Sequence, residues 1–393
     1  MLRISIALVI TLVSFISIAQ EDYWQQEVNY TIDVKLNDKS HELNGYETMQ
    51  YINNSPDELD FIYIHLWPNA YKNDESAMAK QLYENGELDF YYSEDKDRGF
   101  IDSLNFEIDG KTVKWKIDST HVDIAKLYLN SPLKSGEKIS ITTPFHVKIP
   151  LGIYSRLGHM GESYQITQWY PKPAVYDKNG WNQMPYLTQG EFYSEFGSFD
   201  VSITLPENYV LGATGDMLDG EEELAWLNEK VLLTEAKTSY DENMDFPESS
   251  VKLKTLRFKQ NNVHDFAWFA DKRYHVLKGE VELPHTKEKV TTWAMFTNSE
   301  ADLWTSSIEY LNDAVYYYSL WNGDYPYKHC TAVDGALSAG GGMEYPNITV
   351  IGESGSAFLL ETVIMHEVGH NWFYGILGSD ERTHPWMDEG LNS

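Results

Sequence analysis

From Asn29 to Trp67 apolar and polar residues alternate with a period of two. Tyr30, Ile32, Val34 and Leu36 fall on one face, and Leu59, Phe61, Tyr63 and His65 on another. Successive side chains of a strand point to opposite sides of a sheet, so the pattern predicts half-buried strands. The stretch NFEIDGKTVKWKI predicts a hairpin, in which Asp109-Gly110 supplies a positive-φ turn between Phe106/Ile108 and Val113/Trp115/Ile117. KISITTPFHVKI, FDVSITLP, VKLKTLRFKQ and FAWFA continue the alternation, so residues 20–275 read as an all-β domain. The acidic segment KNDESAMAKQLYENGELD interrupts it as a short helix or surface insertion.

After Tyr274 the period changes. A strand is expected over VTTWAMF, followed by a helix from Ser299 to Trp321, where Leu303, Ile308, Leu311, Val315 and Tyr318 recur at helical spacing. Ser299 with Asp302 resembles a capping box, and Asn322-Gly323 closes the end. A second helix is expected from Ala357 to Tyr374, so residues 276–393 read as a mixed α/β domain. Single cores rarely grow beyond about 250 residues, and a chain of 393 therefore divides into two domains.

The N-terminal run MLRISIALVITLVSFISIAQ places one arginine before an apolar stretch and ends in small residues. It reads as a signal peptide over residues 1–19, cleaved after Ala19, with export to the periplasm or the extracellular space; a membrane anchor is the alternative. No other segment approaches membrane-spanning length. Cys330 is the single cysteine, so no intrachain disulfide can form, and stability must come from packing or a metal. Sixty acidic residues against thirty basic ones give a net charge of −30, which repels phosphate backbones and argues against a nucleic-acid partner. The aromatic residues are dense on the strands and read as core and cross-strand pairs rather than as a sugar-binding face.

The candidate chemistry lies near the end, in TVIMHEVGHNWF. His366 and His370 are four residues apart, so on a helix they project from one face, where two imidazoles can reach one ion. Glu367 beside them is suited to take a proton from a metal-acidified water. Val363, Ile364, Met365 and Val368 mark the helix as packed inside a domain. Glu389 follows His370 with 18 residues between, in PWMDEGLNS, where Pro385 can open a new helix. Two imidazoles and a carboxylate suit a single Zn2+ with an open fourth position, the catalytic rather than the structural arrangement. Upstream, the glycines of SAGGGMEYPNITVIG let backbone approach backbone. Asn347 to Ile351 is apolar enough to form a strand, whose edge could accept a peptide. Glu344 is then an additional carboxylate, suited to the α-ammonium group of a peptide substrate.

GGMEYP, HEVGH and Glu389 at this spacing resemble the membrane-alanyl-aminopeptidase family of zinc metallopeptidases, the gluzincin aminopeptidases. YTIDVKLNDKSHELNGYETMQYINNSP and IYIHLWPNAY resemble the opening of that family's N-terminal domain. The resemblance implies a saddle-like all-β N-terminal domain followed by a truncated thermolysin-like α/β zinc peptidase domain. It implies that His366, His370 and Glu389 bind zinc, that Glu367 is the general base and that Glu344 holds the substrate amine. Gly341 and Gly342 would line the bound peptide, and Gln168 of YQITQWYPKP would lie near the amine. The substrates implied are peptides with a free N-terminus. Tyr345 and Pro346 depart from the asparagine usual in the family after this glutamate. The family's catalytic tyrosine and helical C-terminal domain have no counterpart before Ser393, which leads us to expect a fragment of a longer protein. A zinc endopeptidase with the same ligands, and a binding protein with a vestigial zinc site, are the alternative readings.

Overall fold

A computed structural model describes residues 23–335 and 341–393. The expected signal peptide and residues 336–340 of the glycine-rich segment lie outside them. The architecture is mostly β, distributed over several sheets. In the largest, strands β1 (Glu27–Asn37) and β2 (Glu42–Ile52) form an antiparallel pair, and β3 (Lys138–Lys148) continues it on the far side of β2. On the other side β4 (Gly197–Pro206) joins β1 in parallel, and β5 (Leu253–Val263) follows antiparallel to β4. The alternation along β1 is realised as written: Tyr30, Ile32, Val34 and Leu36 are buried while their neighbours face outward. Tyr30 stacks on Phe199 at 4.4 Å between ring centroids, so a cross-strand aromatic pair supports the parallel register.

Strand Leu59–His65 departs from its expected face. A register shift between Leu59 and Phe61, where the pairing with Ile124–Leu133 jumps from Leu59–Leu133 to Phe61–Tyr128, breaks the alternation. Ile62 and Ile64 are therefore buried, while Phe61 and Tyr63 are only partly covered. A one-residue slip exchanges the two faces of a strand. The DG hairpin forms with Asp109 and Gly110 both at positive φ, but it pairs only Glu107–Ile108 with Lys111–Thr112. Trp115–Ile117 leaves to join a different sheet.

The region up to residue 275 is not purely β. Helix Glu221–Glu235 carries three glutamates in its first turn, where the helix dipole favours negative charge. It covers part of the fold with Leu227 and Val231, spaced four apart, too sparse an apolar stripe to signal a helix in the sequence.

From His275 a five-stranded sheet begins, with β6 (His275–Glu282), β7 (Lys289–Phe296), β8 (His329–Asp334), β9 (Gly342–Tyr345) and β10 (Ile348–Ile351) in spatial order β6-β7-β8-β10-β9. Strands β7, β8 and β10 run parallel. The edge beside β10 is thus β9, the GGMEYP strand itself, and the Asn347–Ile351 run that was expected to offer an edge is paired on both sides. Between β7 and β8 the expected single helix is broken into Ala301–Trp304 and α1 (Ser307–Asn322). The Ser299/Asp302 capping box does not form; the Glu300 carboxylate instead accepts from the backbone amides of Ser354 and Gly355. Helix α2 (Ala357–Gly369) follows β10, its N-terminus capped by Ser356. None of the helices in the described residues is long and apolar enough to cross a membrane.

Candidate metal centre

Helix α2 presents Leu360, Ile364 and Val368 to the core, which turns the adjacent positions His366 and Glu367 toward the β9 side of the domain. His370 lies one residue past the helix, at its C-cap, but keeps helical dihedrals, so the i, i+4 relation to His366 survives. Their Nε2 atoms are 3.1 Å apart. Pro385–Met387 forms one turn of 3-10 helix, after which Glu389–Asn392 closes over α2. Asn392 fastens this segment: its amide donates to the His366 carbonyl at 2.6 Å, and its Oδ1 accepts from the Tyr318 hydroxyl at 2.7 Å. Gly369 permits that closure, since a Cβ there would lie 2.0 Å from Asn392 Oδ1 and 2.5 Å from Tyr318 Cζ. Glu389 Oε2 is thereby brought to 3.2 Å from His366 Nε2 and 3.8 Å from His370 Nε2. The three donor atoms lie within 4.8 Å of one another, close enough to share one ion.

His370 is oriented from behind. Its Nδ1 meets Asp388 Oδ1 at 2.5 Å in a fully buried contact, and a carboxylate so placed fixes the tautomer and direction of an imidazole. The Asp388 side chain was not singled out in the sequence, although its place beside Glu389 was the available signal. Burial opposes a charge on His370, but the Glu344 and Asp388 carboxylates outweigh it and push the imidazole up to about 10. Four carboxyl groups, of Glu344, Glu367, Asp388 and Glu389, thus converge on two histidines. The chemistry and spacing of these donors fit a divalent cation: a tight set of two imidazoles and one carboxylate, with further carboxyl groups close by.

Glu367 is buried, and its Oε2 has no hydrogen-bond partner. Burial raises its carboxyl to about 7, with the two histidines pulling the other way. The glutamate packs directly on β9: a Cβ on Gly342 would lie 2.3 Å from Glu367 Oε1. At Gly341 the nearest atom to such a Cβ is Val363 Cγ2, at an ordinary 3.4 Å. We therefore expect Gly342→Ala to push Glu367 aside and to lower the unfolding free energy by about 1–3 kcal/mol, the cost of overpacking a filled site. Gly341→Ala should stay within about 0.5 kcal/mol; chemical denaturation of the two variants side by side checks this, and equal losses would refute the packing argument.

Glu344 on β9 is also buried with Oε1 unpartnered, and burial pushes its carboxyl well above the usual range. Gly341, Gly342, Glu344, His366, Glu367 and Glu389 line one cavity of about 480 Å³. Arg156 and Glu191 complete a wall, paired at 2.9 and 3.2 Å between Nη2 and the two carboxylate oxygens. Nothing in the sequence pointed to that pair, whose members are 35 residues apart. Gln168 is placed elsewhere. It sits behind β9, where Oε1 accepts from the Tyr345 hydroxyl at 3.2 Å and Nε2 faces Asp265, and it is not among the residues lining the cavity. Tyr345 thus turns to the side of the strand opposite Glu344 and anchors it to the β region.

No protein-family model matches the sequence, and no curated protein matches it. Solved structures do. An M1 zinc metallopeptidase from Deinococcus radiodurans superposes with a TM-score of 0.56 at 16% identity, over 94% of this chain and 68% of that one. The fold is that of the M1 zinc metallopeptidases. A mutant of the same protein bound to a Tyr-Ser-Ala substrate matches with a TM-score of 0.57 at 16% identity, over 94% of this chain and 69% of that one. A two-domain M1 zinc metallopeptidase mutant bound to L-arginine matches equally well, at 0.57, 16%, 94% and 69%.

Proposed function

We propose that the protein is a zinc metallopeptidase of the aminopeptidase type, with a mostly β N-terminal domain and a thermolysin-like catalytic domain divided near residue 276. The observation that carries this reading is a compact His366, His370 and Glu389 donor set at a cavity lined by His366 and Glu389 together with two further buried carboxyl groups, Glu367 and Glu344, each keeping an oxygen unpartnered. His366, His370 and Glu389 would hold zinc. When bound, the metal supplies an acidified water and polarises the substrate carbonyl. Glu367, with its carboxyl near neutrality, takes the proton released as attack begins and passes it to the leaving amine. Glu344 pairs with the α-ammonium group of the peptide, so only a chain with a free N-terminus is seated with its first carbonyl at the metal. Gly342 keeps the floor beside Glu367 open. The similar structures bound to L-arginine and to a Tyr-Ser-Ala substrate support peptides as substrates.

Aminoacyl chromogenic amides and their N-acetylated counterparts test the reading. Hydrolysis of the free-amine compounds that a chelator abolishes and zinc restores is expected, with no cleavage of the blocked ones. Cleavage of blocked and free substrates at equal rates would identify an endopeptidase instead. Glu344→Gln should raise KM for free-amine substrates about ten- to a hundred-fold, the loss of a buried charge pair of roughly 1.5–3 kcal/mol, and unchanged KM would remove Glu344 from the amine site.

A further inference from the structure

A second cavity lies on the β region and shares no residue with the metal cavity. It encloses about 740 Å³. Rings of Trp24, Tyr176 and Tyr193 form its walls, with Asp57, Asp177 and Glu195 among them and Lys178 as the single cationic side chain. Trp24 and Tyr176 stand nearly parallel, 5.8 Å apart with 29° between their planes. The Tyr176 hydroxyl donates to Asp57 Oδ2 at 2.8 Å, and the Tyr176 amide donates to Glu195 Oε1 at 3.0 Å. Glu195 is only 3% exposed, and its other oxygen, Oε2, has no partner. A buried carboxyl with one oxygen unsatisfied is costly unless something completes it.

We propose that this cavity binds an organic cation, an alkylammonium group received by Glu195 and Asp177 among the aromatic rings. Aromatic faces attract a cation through their quadrupole, most strongly where water is excluded, and carboxylates supply the charge that a neutral ligand would leave uncompensated. A saccharide would also find rings here, but it would have to be packed against three carboxyl groups with one cation between them. Burial raises the Glu195 carboxyl well above its ordinary value, with Asp177 adding to the effect; an arriving ammonium group relieves both.

Isothermal titration calorimetry on the zinc-loaded full chain tests the site, using n-butylammonium, putrescine and N-acetyl-lysine amide as probes and 1-butanol and glucose as neutral controls. The ammonium compounds are expected to bind and the neutral ones not. Glu195→Gln keeps the acceptor for the Tyr176 amide and should weaken binding at least about tenfold, with Trp24→Ala giving a smaller loss through its missing ring. Asp177→Asn, at a partly exposed position, carries the test should Glu195→Gln fail to fold in a circular-dichroism melt. Tighter binding of N-acetyl-lysine amide would identify a peptide lysine as the source of the cation, and tighter binding of putrescine a free polyamine. Absence of heat with every ammonium probe at millimolar concentration, glucose binding as well as the amines, or binding unchanged in these variants but lost in Glu344→Gln would overturn the proposal.

Discussion

Glu367→Gln is expected to lower kcat for hydrolysis of a free-amine substrate by about a hundred- to ten-thousand-fold, the range for removing a positioned general base. The zinc content should remain at one ion per chain. The two effects separate because Glu367 is outside the His366, His370 and Glu389 donor set, while its own Oε2 makes no hydrogen bond that the fold needs. Glutamine has nearly the same volume, so the close packing against Gly342 is retained. The amide cannot accept the proton that the proposed reaction assigns to the carboxylate. Metal analysis and kinetics on the same preparation decide the matter. A variant with full metal and near-normal kcat would show that another group takes the proton, whereas loss of metal with activity would make Glu367 part of the ligand set.

The second large effect concerns stability. Lys172 and Asp265 form an ion pair at 2.9 Å, with side chains 3% and 5% exposed. The ammonium also reaches Ser194 Oγ and the His264 carbonyl, and the carboxylate accepts from the Tyr170 hydroxyl and the Phe266 amide. Removing one partner of such a pair leaves a buried charge uncompensated, at a cost of about 3–5 kcal/mol. Asp265→Asn should therefore lower the unfolding free energy measured by chemical denaturation by that amount, and Lys172→Met by a comparable one. Burial opposes the Asp265 charge, but Lys172 outweighs it and holds the carboxyl below its ordinary range. A depressed folded value means that this contribution is complete above the unfolded carboxylate value and is lost as pH falls through the folded one. The acid limb of the stability curve should be shallower in Asp265→Asn. An unfolding free energy within about 0.5 kcal/mol of the parent would show that the pair contributes no net stability.

The site was legible where its chemistry is local. His366, Glu367 and His370 are read from helical spacing alone, because four residues make one turn whatever surrounds the helix. Glu344 was visible as a carboxylate left over beside a glycine run. The Arg156–Glu191 pair was not visible, since two residues on irregular backbone and 35 positions apart leave no periodic signal of their contact. Gln168 illustrates the reverse. The resemblance implied a place near the substrate amine for it, yet the hydroxyl of Tyr345, a residue that departs from the family pattern, engages its Oε1.

By itself the sequence determined the period-two strands from Asn29 onward, the change to helical spacing after Tyr274, and the pair of histidines on one helical face. These follow from repeats of two and about 3.6 residues that each segment carries independently of the rest. Tertiary structure alone decided which face of Leu59–His65 is buried, because the register shift against Ile124–Leu133 reverses it. It also decided that β9 rather than β10 is the edge, that Glu389 reaches the histidines across Asn392 and Tyr318, and that Asp388 holds His370. Each of these depends on contacts between segments far apart in the chain, whose geometry is set by packing and closure and has no periodic trace in the order of residues.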